Sequence, residues 1–181
     1  MPSQRDSTPS EQSDQLILNP AVLVGPCPLG KGLFAATDFK PGETILRFRG
    51  ALIDFAAMLR KGVNQANPLQ ISANRYIDLE APGVYANHSC DPNAGIRNDT
   101  DLVAIQPIRR GEEIRYDYST TMWEDHWTLI CHCGSNQCRG LVADFPTLPE
   151  IQQQRYLSSG IVQAFIVARM HRQSTSVPGS A

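Results

Sequence analysis

Apolar positions in this chain come in short runs separated by turns rich in Gly, Pro and Asn, a pattern that predicts brief strands. Leu33 to Ala35 follows a Gly-rich turn, and Thr44 to Phe48 follows the turn Lys40-Pro41-Gly42-Glu43. Tyr76 to Leu79, Ala94 to Arg97, Leu102 to Ala104 and Glu113 to Tyr116 continue the series. Two stretches depart from it. Leu52 to Arg60 carries Ile53, Ala56, Ala57 and Arg60 at helical spacing and predicts a short helix. Leu148 to Met170 is helical in composition, with Leu157, Ile161, Phe165 and Ala168 along one face. Pro149 is tolerated in a first turn, and Gly160 is placed to split this stretch into two helices. It reads as a packing cover over the sheets, with a dimer face or a substrate-binding surface as the alternative. The fold class that follows is mainly β, a β-rich α+β architecture and not a parallel α/β sheet.

The two ends are different in kind. Residues 1–14 are Ser, Gln, Pro and Asp with almost nothing apolar, and residues 171–181 share that character, so both are expected to be disordered tails. At 181 residues and 20.0 kDa, one core is the default, and no internal repeat interrupts it. The 16 basic and 18 acidic residues leave a formal charge of -2, which argues against a nucleic-acid partner. No run approaches the roughly 20 apolar residues that span a bilayer, so no membrane partner is expected. The opening MPSQRDSTPSEQSD lacks the apolar stretch of a secretory signal, and the expected compartment is a reducing cytoplasm.

That compartment bears on the five cysteines. Cys131, Cys133 and Cys138 form a C-x-C-x4-C arrangement around Gly134, Ser135 and Asn136, a turn that lets thiolates converge on one tetrahedral ion. Cys90, in NHSCDPN, is the natural fourth ligand. Disulfides compete with this reading, as do free or catalytic thiols, including a Cys90–His88 dyad. Structural zinc is favoured, because thiols one residue apart pair poorly and a reducing compartment disfavours disulfides. A site closed by four thiolates keeps no open position for water and is structural. Cys27, between Pro26 and Pro28, reads as a spare thiol.

Four segments then stand in order: GKGLFA (Gly30 to Ala35), NHSCDPN (Asn87 to Asn93), GEEIRYDYS (Gly111 to Ser119) and CHCGSNQCRG (Cys131 to Gly140). In this order and spacing the chain resembles the SET-domain protein-lysine methyltransferases that carry a cysteine-rich post-SET segment. The resemblance runs from about Gly25 to Leu141, and the C-terminal helical stretch resembles the extension of small, stand-alone, bacterial-type members. It implies a SET domain over 15–130, a post-SET zinc segment over 131–141 and a helical extension over 142–170. The implied fold is a set of small β-sheets whose C-terminal segment threads beneath a loop as a pseudoknot.

The implied reaction is in-line transfer of a methyl group from S-adenosylmethionine to the ε-amine of a lysine in a protein or peptide. That chemistry needs a neutral amine, alignment in a narrow dry channel, and one hydroxyl beside the reacting atoms. Tyr118 matches the family's catalytic tyrosine. Taken alone, it would be a core tyrosine whose hydroxyl caps a backbone group. Tyr116 matches the Phe/Tyr switch position, where a hydroxyl restricts the product towards monomethyl-lysine, or dimethyl; its plain alternative is a strand aromatic. Asp117, between them, alternates to the other face and reads as structural. Asn87 and His88 match the residues that hold the cofactor, through the Asn side chain and nearby backbone groups. Gly30 and Gly32 would let the backbone approach it closely, and Leu141 would cover the adenine. Leu33 and Phe34 read as core, Pro92 and Asn93 as loop-shaping, and Arg139 and Gly140 match the post-SET ending.

Three positions depart from the family pattern. Lys31 stands where Trp is common, Val84 replaces an Arg, and Tyr85 replaces a Phe. Lys31 is still placed among the cofactor-binding residues, where it would alter affinity or set a charge at the cofactor's carboxylate. A zinc-stabilised, catalytically inactive protein-binding module of the same fold is the alternative function. The expected assembly is a monomer or a weak homodimer through the C-terminal helices.

Overall fold

The chain turns back on itself first at Pro28-Leu29, joining strands β1 (Val22–Cys27) and β2 (Gly30–Ala35) into a hairpin in register from Val22↔Ala35 to Cys27↔Gly30. A computed structural model describes residues 20–175. Strand β2 turns Leu33 and Ala35 inward, where they are fully buried, while β1 stays largely exposed. Strand β3 (Thr44–Arg47) follows, then β4 (Gly50–Ile53), helix α1 (Phe55–Leu59), β5 (Pro68–Ser72) and β6 (Arg75–Leu79). Strands β4 and β5 flank β6 in an antiparallel sheet. Gly50 is required there: a Cβ on it would stand 1.8 Å from the Asp78 carbonyl oxygen.

Beyond β7 (Asn87–His88), strands β8 (Ala94–Arg97) and β9 (Asp101–Ala104) pair as a hairpin, and β9 adds β3 on its other side. Every residue of β9 is buried, as a central strand requires. Strand β10 (Arg115–Tyr116) lies parallel to β7, and β11 (Leu129–Ile130) pairs with β12 (Leu141–Val142). Helices α2 (Glu150–Ser158) and α3 (Ala164–Thr175) close the described chain. The architecture is mainly β with a C-terminal helical segment, as the pattern predicts.

Two cores divide the interior. The larger joins Leu33, Leu46, Phe48, Ile96, Leu102, Ile108 and Ile114. The second is built by the C-terminal segment: Phe145, Tyr156, Ile161 and Ile166 pack with Trp123. Gly95 on β8 makes room for it, since a Cβ there would meet the Ile161 side chain at 2.7 Å. The extension is thus a cover over the sheets, and Gly160, at φ 64°, does separate its two helices.

Some boundaries differ from the sequence reading. The helix expected from Leu52 starts at Phe55, because Leu52 and Ile53 pair with Ile77 and Tyr76 in β4–β6 and Asp54 caps the helix by accepting the Ala57 N–H at 2.7 Å. Strands β1 and β5 were not foreseen. Helix α3 continues through residues 171–175, which composition alone assigned to a disordered tail. The remainder of that tail and the whole of residues 1–14 lie outside the described residues. Among the described residues, no helix is long and apolar enough to cross a membrane.

Candidate active site

The parallel pairing of β7 with β10 sets Asn87 opposite Arg115 and His88 opposite Tyr116, joining two motifs far apart in sequence. Asn93 locks the junction: its Oδ1 accepts the Arg115 N–H at 2.9 Å and its amide donates to the Glu113 carbonyl at 2.8 Å. After β10 the chain turns into a short 3-10 helix, Tyr118–Thr121, whose first N–H groups are capped by Asp117. Tyr116 and Tyr118 consequently face each other, with ring centroids 4.8 Å apart and planes at 45°.

Both rings line a cavity of about 30 Å³, together with Tyr76, Gln70, Glu124 and Trp127. The Tyr118 hydroxyl donates to the Ala86 carbonyl at 3.0 Å, which fixes its direction while its oxygen can still accept. Burial pushes both phenols well above the usual tyrosine range, so each stays protonated. Glu124 accepts a short hydrogen bond from the Tyr76 hydroxyl, and burial raises its carboxyl, with Asp144 adding to the effect. Gln70 is buried; its Oε1 accepts the Trp123 N–H at 2.9 Å, while its amide nitrogen has no hydrogen-bond partner among the described residues. Gln70, Tyr76, Glu124 and Trp127 lie outside every motif, and no local pattern marks them as site residues.

At the far end of β7, the Asn87 amide donates towards the Lys31 carbonyl at 3.0 Å, Glu113 Oε1 at 2.9 Å and Cys27 Sγ at 3.4 Å. This draws the Gly30–Gly32 turn onto the motif strand. Gly30 adopts φ 108° with open space where a Cβ would stand, and a Cβ on Gly32 would lie 2.6 Å from Glu113 Oε1. The bare backbone forms a cradle, and Ile130 and Leu141, paired across β11 and β12, present exposed apolar side chains. Lys31 does not hang free: its ammonium lies 5.5 Å over the ring of Tyr85, so two of the three departures from the family pattern contact each other.

The thiols converge. Cys90 Sγ and Cys131 Sγ are 3.7 Å apart, and the ligand atoms of His88, Cys90, Cys131 and Cys133 all lie within 4.8 Å of one another. Two thiolates on one tetrahedral zinc at about 2.3 Å would be separated by about 3.8 Å, so this spacing fits a shared ion and not a disulfide. Cys138 also reaches the group, its thiol facing those of Cys131 and Cys133. His88, which the sequence paired with Cys90 only in the disfavoured dyad reading, stands beside the sulfurs. Its Nδ1 accepts the Tyr118 N–H at 3.2 Å, which leaves the proton on Nε2, 3.2 Å from Cys90 Sγ. Burial holds the ring at about 4, so at neutral pH it is uncharged and has only that one bare nitrogen. His88 therefore donates to the Cys90 sulfur from outside the ligand set, and Cys138 is the fourth ligand atom that the geometry can supply. The His88 ring is thus committed at both nitrogens to protein contacts.

Asp117 carries more than its sequence context suggested. Arg139 forks onto its two oxygens at 2.7 and 2.9 Å, and the Tyr156 hydroxyl from α2 donates to Oδ2 at 2.9 Å. Gln152 in turn donates to the Tyr156 oxygen at 2.9 Å. One buried carboxylate thus ties the double-tyrosine segment to the cysteine loop and to the C-terminal extension.

Residues 30–119 match the SET domain family. Three curated relatives show how far the similarity extends. A histone-lysine N-methyltransferase, H3 lysine-36 specific, of Yarrowia lipolytica is 29% identical over 130 residues, covering 62% of this chain and 17% of the relative. Histone-lysine N-methyltransferase set-2 of Caenorhabditis elegans is 31% identical over 128 residues, 61% of this chain and 8% of its own length. Histone-lysine N-methyltransferase ASHH3 of Arabidopsis thaliana is 27% identical over 139 residues, 67% of this chain and 38% of the relative. The chain therefore spans well under two thirds of these relatives.

Proposed function

Residues 30–119 make this chain a member of the SET-domain family, and on that premise we propose that it transfers a methyl group from S-adenosylmethionine to the ε-amine of a lysine in a protein substrate. The observation that carries the proposal is the pair Tyr116 and Tyr118, ring centroids 4.8 Å apart on the wall of a small cavity, at the end of the strand whose parallel partner leads back to the glycine cradle.

The cradle fits the cofactor by its shape and donor set. The bare backbone at Gly30–Gly32, the Asn87 amide, the His88 backbone, Lys31 and the apolar cover of Leu141 would hold it. When bound, S-adenosylmethionine supplies an electrophilic methyl group and a positive charge that favours the neutral form of a nearby amine. The tyrosines do the rest. Tyr118, directed by Ala86, accepts from or orients the amine, and its protonated phenol adds no competing nucleophile. Tyr116 keeps a hydroxyl in the cavity, which leaves room for few methyl groups and favours monomethyl-lysine. The aromatic walls exclude water from the reacting atoms.

Zinc on Cys90, Cys131, Cys133 and Cys138 would be structural. It fixes the cysteine loop, and with it Leu141 and Arg139, beside the site. Incubation with methyl-labelled S-adenosylmethionine and a protein lysate, followed by mass mapping of labelled lysines, tests the activity. Cofactor binding by calorimetry with no labelled lysine in any fraction would overturn it.

A further inference from the structure

The cavity beside the two tyrosines has a chemical bias that neither tyrosine explains. Four aromatic rings stand in its walls, Tyr76, Tyr116, Tyr118 and Trp127, beside aliphatic and polar side chains. Its one carboxylate is Glu124, half-buried and braced by the Tyr76 hydroxyl. The loop carrying Glu124 is held rigidly, since Asp144 Oδ2 accepts the N–H groups of Glu124 and Asp125 at 3.1 and 2.6 Å. That second carboxylate makes the wall more negative. The neighbouring cation, Arg169, is engaged elsewhere: it lies 4.2 Å over the Trp123 ring, donates to the Trp123 carbonyl and faces Asp125 at 3.7 Å. The buried amide nitrogen of Gln70, without a hydrogen-bond partner among the described residues, lines the same cavity. A buried, unmet donor calls for an acceptor, so the cavity suits an occupant that can offer a lone pair, as an amine nitrogen does once its proton has left.

π-faces and a carboxylate in so small a space select a primary alkylammonium. We infer that Glu124 receives the substrate amine, pairing with the ammonium form of the incoming lysine and taking up the proton that leaves before the amine attacks. The step balances within the pair. One N–H bond of the ammonium breaks, one O–H bond forms on Glu124, and ammonium plus carboxylate become amine plus carboxylic acid with no further reactant. Burial already biases Glu124 towards its protonated form, which suits the receiving role. The inference rests on the methyl-transfer reading for the identity of the amine, but it makes a claim about binding that needs neither cofactor nor turnover.

The test uses the full-length protein and n-butylammonium as probe, with 1-pentanol as its uncharged counterpart. Binding of each is followed by Trp fluorescence at neutral pH. Wild type is expected to bind the ammonium at least about tenfold tighter than the alcohol, and Glu124→Gln to bring the two to parity. Tyr76→Phe, which keeps the carboxylate, should keep the preference. Glu124→Gln should also melt no lower than wild type, because it removes a charge that burial disfavours; a purely structural Glu124 would lower the melting temperature. Parity in the wild-type protein overturns the inference without any variant, as does a preference that survives in Glu124→Gln or vanishes in Tyr76→Phe. A protein that shows the preference but labels no lysine keeps this inference and loses the methyl-transfer reading; labelling without the preference does the reverse.

Discussion

Arg139 grips Asp117 through both terminal nitrogens, at 2.7 and 2.9 Å, across 22 residues of chain, and the carboxylate it holds sits between the two site tyrosines. Asp117 is fully buried, so its charge is tolerable only because Arg139, Tyr156 and the Ser119 N–H satisfy its oxygens. The end of the cysteine loop and the double-tyrosine segment are therefore one electrostatic unit.

Breaking that unit from one side should be severe. Arg139→Leu strands a buried carboxylate and is expected to cost about 3–5 kcal/mol, read from urea unfolding. Arg139→Lys cannot reproduce the fork and should also lose stability. Tyr156→Phe removes one hydrogen bond to a charged group, about 1.5–3 kcal/mol. Variants within error of wild type would refute the hub.

Tyr118→Phe should keep the fold, since only the 3.0 Å bond to Ala86 is lost, at about 1 kcal/mol. Methyl transfer should fall by about 10²-fold or more, because the amine loses its alignment. A radiolabel assay alongside a thermal melt separates the two effects.

Tyr116→Phe vacates the position of one hydroxyl in a cavity of about 30 Å³. The expected outcome is a shift from monomethyl to di- or trimethyl product, seen as added 14-dalton steps in the product mass (a methyl replacing a hydrogen). An unchanged product distribution would remove Tyr116 from the switch role.

For the metal, the geometry separates two residues at the edge of the thiol cluster, His88 beside Cys90 and Cys138 beside Cys131 and Cys133. Cys138→Ser is expected to lower the zinc-to-protein ratio, whereas His88→Asn should retain the ion, because the His88 ring has no bare nitrogen left to give. Elemental analysis reads both. A chelator should lower the melting temperature of wild type, since metal binding is coupled to folding.

Acid sensitivity has one readable source at the surface. The Arg47 side chain, followed by the Asn98 amide, holds Asp101 below the usual carboxylate range. A folded value below the unfolded one means that the stabilisation is fully present above the unfolded value, about 3.9, and is lost as pH falls through the lower folded value. Arg47 is 65% exposed, so solvent screens the pair and keeps its contribution small. Asp101→Asn should be less stable than wild type near neutrality and converge with it in strong acid, by denaturant midpoints at several pH values.

Local signals carried much of this into view, and their limits were physical. Strands β8 and β9 and the break at Gly160 were legible because short apolar runs between turns and a single glycine mark them locally. Strand β5, PLQIS, offers only Leu69 and Ile71 as apolar positions, too few to mark it alone; β6 defines it by pairing. The thiols and tyrosines were legible from spacing within motifs. Glu124 and Tyr76 were not, because they meet across 48 residues and neither sits in a recurring pattern. Asp117 was read as structural for its alternation, yet its partners Arg139 and Tyr156 could be found only by folding the chain.

Gly95 bears on how portable this domain is. Its missing side chain is the socket for Ile161, so the central hairpin is shaped around the ending that follows it. A core transplanted without residues 145–166 would carry a notch in its sheet and an uncovered Trp123, and a different ending could be grafted only with a matching change at position 95. The extension and the hairpin are expected to evolve, and to be engineered, as a pair.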